Sequence, residues 1–206
     1  MHTVEDIFEG YRRFRSGNYA NKTALFEDLG NGQDPDVLVI SCADSRVCPT
    51  DIFNADPGQL FIVRNVANLV PPYGAGDDLD GVSAALEYAV NALKVKHIII
   101  MGHASCGGVG ASLSAAKGEP YGQFVAPWVK LLDDACEKVL ASDAEDKQNA
   151  LEFEGINTSI DNLMSFPFVS SAVAANDLEL HGAWFDIGKG ALHWRGKSGS
   201  FGEVSA

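Results

Sequence analysis

No segment of this sequence approaches the roughly 18 uncharged apolar residues that a membrane helix needs. The opening stretch, MHTVEDIFEGYRRF, has acidic residues early and no unbroken apolar run, so it is not read as an export signal. A cytoplasmic location is the expectation, with no membrane partner. Positive charge is scarce too: 15 Lys and Arg stand against 28 Asp and Glu, a formal net charge of −13. Such a surface repels phosphate backbones and argues against a nucleic-acid partner. Cysteine is sparse, with only Cys42, Cys48, Cys106 and Cys136. In a chain without an export signal, metal ligation or plain buried thiols are better readings of these four than disulfides. There is no internal repeat and no low-complexity tract.

What is present suffices for one well-buried domain: 206 residues, 46% of them apolar. Val4, Ile7, Phe8, Tyr11 and Phe14 share one face of an amphipathic helix. Leu25, Phe26 and Leu29 predict a second short helix ended by Gly30. Both helices need a surface to lie on, either the body of the domain or a second subunit. Short apolar runs predict strands at 36–41, 60–63 and 97–101, and two more at 178–187 and 191–195 joined through Gly188-Lys189-Gly190. Helices are expected over 80–93, from Gly107 to about Gly118, and over 124–166, where the polar stretch 142–149 interrupts and Pro167 terminates.

Strands alternating with helices imply an α/β fold. The expectation is a mostly parallel sheet of four strands in order 2-1-3-4, an antiparallel edge strand, helices on both faces and an N-terminal helical arm. The chain reads as one domain, with the arm at 1–33, an α/β core at 34–196 and a flexible tail at 197–206. Ligands of such sheets bind beyond the carboxyl ends of the strands, where the strand order reverses. SCADSRV follows the first strand and GHASCGG the third, so Cys42, His103 and Cys106 are expected to meet there. Thiolate and imidazole suit zinc, and a catalytic zinc keeps three protein ligands and an open position. The glycines Gly102, Gly107 and Gly108 are read as letting the backbone fold tightly around the ion. Alone, a Cys at a strand end is a small core residue and His-x-x-Cys is a weak motif; together at adjacent strand ends they point to metal. Cys48 and Cys136 are read as ordinary thiols, and His97, His181 and His193 are left outside the site. Asp44 and Arg46 suggest a carboxylate that takes a hydrogen bond from water, held ionised by a guanidinium, rather than a surface ion pair worth little.

CADSRV, FIVRNVANLVPPY and GHASCGG, in this order and spacing, closely resemble the β-class carbonic anhydrases. GINTSIDNL and LELHGAWFDI extend the similarity to about Arg195. The resemblance implies one Zn²⁺ per subunit on Cys42, His103 and Cys106, with Asp44 and Arg46 as the catalytic pair. It implies a substrate pocket using Gln33, Phe61, Tyr88 and Gly107, contributed in part by a neighbouring subunit. The expected reaction is reversible hydration of carbon dioxide to bicarbonate and a proton, in a homodimer or larger homo-oligomer. One bacterial subgroup carries a tryptophan and a tyrosine that, with an arginine, bind regulatory bicarbonate. Here those positions are Val39 and Phe185, with only Arg64 retained, so the resemblance does not reach that regulatory site. Some plant-type members have a histidine one turn after the pocket tyrosine; here it is Ala92, and no proton shuttle is named.

Two other readings keep the metal. Carbon disulfide or carbonyl sulfide hydrolysis would use the same site behind a narrow apolar access. A purely structural zinc would need a fourth protein ligand, for which Asp44 is the obvious residue. A dinucleotide site is excluded, because GHASCGGVG lacks the G-x-G-x-x-G spacing.

Overall fold

A computed structural model describes residues 3–75, 80–119 and 121–205. The chain divides between Asp34 and Pro35 into an N-terminal arm and a body.

In the arm, helix α1 (Val4–Phe14) opens with a reciprocal cap. The Asp6 N–H donates to Thr3 Oγ1 at 3.2 Å and the Thr3 N–H to Asp6 Oδ2 at 2.9 Å. A π turn (Arg15–Tyr19) leads to helix α2 (Thr23–Leu29). Phe14 and Tyr19 both pack against Phe26, with ring centroids 5.7 and 4.9 Å from it. This small cluster holds the arm's bend. Val4, Ile7, Phe8 and Tyr11 line one apolar face of α1.

The body is built on strands β1 (Val37–Cys42), β2 (Leu60–Asn65), β3 (His97–His103), β4 (Glu179–Asp186), β5 (Ala191–Arg195) and β6 (Phe201–Glu203). They form one sheet in the order β2-β1-β3-β4-β5-β6. The first four are parallel, as expected, and β5 and β6 pair antiparallel. Helices α3 (Pro49–Ile52), α4 (Gly81–Glu87, running on as a π turn over Tyr88–Leu93), α5 (Gly107–Ala116), α6 (Val125–Val129), α7 (Asp133–Ala141), α8 (Lys147–Met164) and α9 (Pro167–Ala174) complete it. Alternation along the strands divides the core in two. Leu38, Ile40, Ile98 and Ile100 pack with α4, α9 and the Ile156–Leu163 stripe of α8. Val39, Ile99 and Met101 pack with α5, α7 and Leu151. Both faces are covered, which is why β1 and β3 read as continuous apolar runs.

Two expectations need correction, and a third holds with finer bounds. The tail after Gly196 is not simply flexible: β6 pairs with β5, and Phe201 packs on Phe153 with centroids 4.7 Å apart. Three residues are too few to show a period in sequence. Pro167 does not merely end a helix; it occupies the first position of α9, where its missing N–H costs nothing. The polar stretch 142–149 contains the start of α8, capped by Asp146, whose Oδ1 accepts the Asn149 N–H at 3.0 Å. Among the described residues no helix is long and apolar enough to cross a membrane.

Candidate metal centre

Parallel pairing in register brings the carboxyl ends of β1 and β3 side by side, with Ser41 opposite Met101. Cys42 is the last residue of β1 and His103 the last of β3. Ser105, at φ +56°, then turns the chain sharply, and Cys106 becomes the residue that caps α5. The loop after Cys42 is tied down by Arg64 of β2. Its guanidinium donates to the carbonyls of Cys42, Asp44 and Val47 at 3.0, 2.7 and 2.6 Å.

The donor atoms of Cys42, His103 and Cys106 lie within 4.8 Å of one another, and all three residues are buried. The two Sγ atoms are 3.8 Å apart. Zinc–sulfur bonds of about 2.3 Å in a tetrahedron separate two sulfurs by about 3.8 Å. His103 Nδ1 faces the Ala104 carbonyl at 2.9 Å, which leaves Nε2 as the free ring nitrogen. That Nε2 is buried and, among the described residues, has no hydrogen-bond partner. An orphaned imidazole nitrogen facing two close thiols is costly unless a cation completes it. The residues therefore fit a zinc ion.

The electrostatics agree. The hydrogen bond from Cys106 draws the Cys42 thiol down, against the effect of burial, with help from the His103 ring and from the backbone N–H groups of Asp44 and Ala67. Cys106 is pushed up by that same bond to Cys42 and by burial. A divalent ion bound to both sulfurs is what allows both to be thiolates.

Asp44 stands beside this group, its Oδ2 3.8 Å from His103 Nε2. Arg46 grips it with Nε to Oδ1 at 2.9 Å, Nη2 to Oδ2 at 2.6 Å and its own backbone N–H to Oδ1 at 2.9 Å. The Arg46 side-chain bonds, first among the causes, hold the Asp44 carboxyl far below the usual carboxylate range. Arg46 Nη2 also donates to the Ser105 carbonyl at 3.1 Å, joining the two loops.

Behind the thiolates lies a residue that sequence reading passed over. Glu152 of α8 is 4% exposed. Its Oε1 accepts the Cys106 N–H and the Gln148 amide, both at 2.9 Å, and its Oε2 accepts the Trp184 indole N–H at 3.0 Å. Gln148 also donates to the Cys106 carbonyl at 2.9 Å. The signal was a carboxylate on the apolar stripe of α8, in step with Ile156, Ile160 and Leu163.

The carbonic anhydrase family profile matches residues 37–192. β-Carbonic anhydrase 3 of Arabidopsis thaliana is 36% identical over 198 residues, covering 93% of this chain and 76% of that protein. The chain belongs to the β-class carbonic anhydrases. The solved structure of the β-carbonic anhydrase CcaA superposes with a TM-score of 0.90 at 34% identity, over 98% of this chain and 92% of that one. A tetrameric β-carbonic anhydrase of Sordaria macrospora gives 0.82 at 30% identity, with both chains fully covered.

The remaining residues expected at the site are placed as follows in the arm and in the body. Phe61 and Tyr88 meet, with ring centroids 5.9 Å apart. Phe61 is paired with Leu38, however, while Cys42 is paired with Asn65. The aromatic pair therefore lies about 13 Å back along the strands from Cys42, at roughly 3.3 Å per residue. Tyr88 is half exposed. Gln33 belongs to the arm. Gly107 opens α5 with free space where a side chain would stand. Gly102 and Gly108 stand where neighbouring atoms approach closely. A Cβ on Gly108 would fall 2.9 Å from the Ala67 Cβ and 3.2 Å from its backbone nitrogen, and Ala67 itself sits at φ +64°. Cys136 is buried in the core and Cys48 Sγ lies 3.1 Å from Thr50 Oγ1, in keeping with ordinary thiols.

Proposed function

We propose that this chain carries out the reversible hydration of carbon dioxide, with zinc held by Cys42, His103 and Cys106. The observation that supports this best is the partnerless, buried His103 Nε2 facing two thiols at the separation a zinc tetrahedron requires. Zinc supplies Lewis acidity that makes water a nucleophile near neutral pH. Asp44 Oδ2 accepts a hydrogen bond from that water and aims its lone pair. Arg46 keeps Asp44 ionised and fixed, so the carboxylate orients without taking the proton to itself. Gln33 donates to the developing bicarbonate oxygen, the backbone at Gly107 borders the pocket, and Phe61 with Tyr88 provides an apolar wall that excludes water. Because that wall lies away from the thiolates within one chain, we assign it to the site of a neighbouring copy, in a homodimer or a larger assembly. The apolar face of α1 gives such an assembly something to cover.

The test combines zinc content and stopped-flow carbon dioxide hydration on one sample, with carbon disulfide and carbonyl sulfide as comparison substrates. One zinc per chain with rapid hydration is expected. Zinc without hydration would leave only the structural reading, and preference for a sulfur substrate would replace the proposed one.

A further inference from the structure

The amino-terminal edge of the sheet gathers a second set of donors. β3 and β4 run parallel with His97 opposite Glu179 and Ile99 opposite His181. Glu179 and His181 are two apart and share a face, and the register brings His97 beside both. His97 Nδ1 lies 3.2 Å from His181 Nε2. Glu179 Oε2 stands 3.9 Å from the first nitrogen and 3.7 Å from the second. A hydrogen bond between the rings accounts for the shortest edge alone. The same carboxylate oxygen facing both nitrogens makes a triangle. Metal–nitrogen and metal–oxygen bonds of about 2.0–2.2 Å place tetrahedral ligands about 3.3–3.6 Å apart, close to its edges.

The donors are held by structure around them. The Glu179 N–H donates to the Lys96 carbonyl and the His97 N–H to the Asp36 carbonyl, at 2.9 and 3.1 Å, fixing both strand starts. The His181 ring packs on Trp194 with centroids 5.3 Å apart. Water reaches the site, because the side chains of His181, His97 and Glu179 are 21%, 42% and 69% exposed.

We propose that His97, Glu179 and His181 form a second divalent transition-metal site, separate from the cysteine centre and taking Zn²⁺ or a similar borderline ion. Two imidazoles and a carboxylate suit zinc, copper or nickel better than calcium or magnesium. His97 and His103 are six residues apart on β3, about 20 Å at roughly 3.3 Å per residue. The ion would link the starts of two central strands, with solvent in its remaining positions, and would exchange freely.

The experiment uses the intact zinc-loaded protein, dialysed against micromolar Zn²⁺, with metal per chain counted by mass spectrometry. Wild type should hold one equivalent more than H97A/H181A, and E179Q, a change at an exposed residue, should bind that equivalent more weakly. Hydration activity should be the same in all three. With Cu²⁺ as probe, the wild-type electron paramagnetic resonance signal should carry nitrogen coupling that the double variant lacks. Equal zinc in wild type and H97A/H181A, or copper bound without nitrogen coupling, overturns the proposal. A defect at the cysteine centre would lower every total alike and leave the difference between proteins intact.

Discussion

The two ends of β3 carry the same residue in opposite circumstances. His103, at the carboxyl end, is fully buried, with one ring nitrogen engaged by a backbone carbonyl and the other left without a partner. His97, at the amino end, is partly exposed and already shares its Nδ1 with His181. At the buried end water cannot stand in for a missing ion, so the unmet donors make the site demand one. At the open end water substitutes at little cost, and an ion there competes on weak terms. The difference lies in the surroundings more than in the ligands: Arg64, Arg46 and Glu152 brace one end, and strand backbone and Trp194 brace the other.

The strongest way to break this contrast is to replace a buried sulfur. Cys42→Ser or Cys106→Ser should lose zinc and hydration together, falling to background in metal analysis and stopped-flow assay. Retained zinc with full activity would show that the buried end does not depend on those ligands. Next in size is Asp44→Asn, which should keep zinc and lower turnover on the order of 10²-fold, because it removes the acceptor that aims water. Equal turnover in that variant removes Asp44 from the chemistry. Glu152 measures how much the bracing matters. Glu152→Ala orphans two buried donors, the Cys106 N–H and the Trp184 indole N–H, at about 1–3 kcal/mol each in urea unfolding. It should also weaken zinc retention by about 10–100-fold against a chelator. Glu152→Gln keeps an acceptor oxygen and should recover part of both. Unchanged retention in the alanine variant would mean that the Cys106 loop holds itself.

The smallest effect belongs to the open end. His181 has a folded pKa below its ordinary value of 6.5. The unfolded chain therefore takes up a proton that the folded chain resists, and stability falls as pH drops below about 6.5. His181→Gln, unfolded in urea with chelator present, should show a shallower loss between neutral and mildly acidic pH than wild type. Parallel curves would show that this histidine titrates alike in both states.

The parallel sheet and the meeting of its two reactive loops were legible because apolar runs, glycine turns and ligand spacing are local signals that topology then places. What escaped reading depended on contacts distant in sequence. Glu152 reaches Cys106 across 46 positions and Trp184 across 32, and no periodicity announces such a bond. Arg64 was weighed as a remnant of a regulatory site, whereas its donors are spent on the loop beside Cys42. His97 and His181 were left outside the site because neither has a cysteine close by in sequence; strand register alone brings them together. β6 was missed through brevity, and α9 because proline reads as a stop before its place in the helix is known.

Phe61 and Tyr88 lie well back along the strands from Cys42, so a solitary chain has its sulfurs at one end and its aromatic wall toward the other. On the assignment of that wall to a neighbouring copy, dilution alone would slow the enzyme: each molecule would keep its ion while losing its pocket. Rate per chain would then rise with protein concentration until association is complete, which makes abundance itself a control on output.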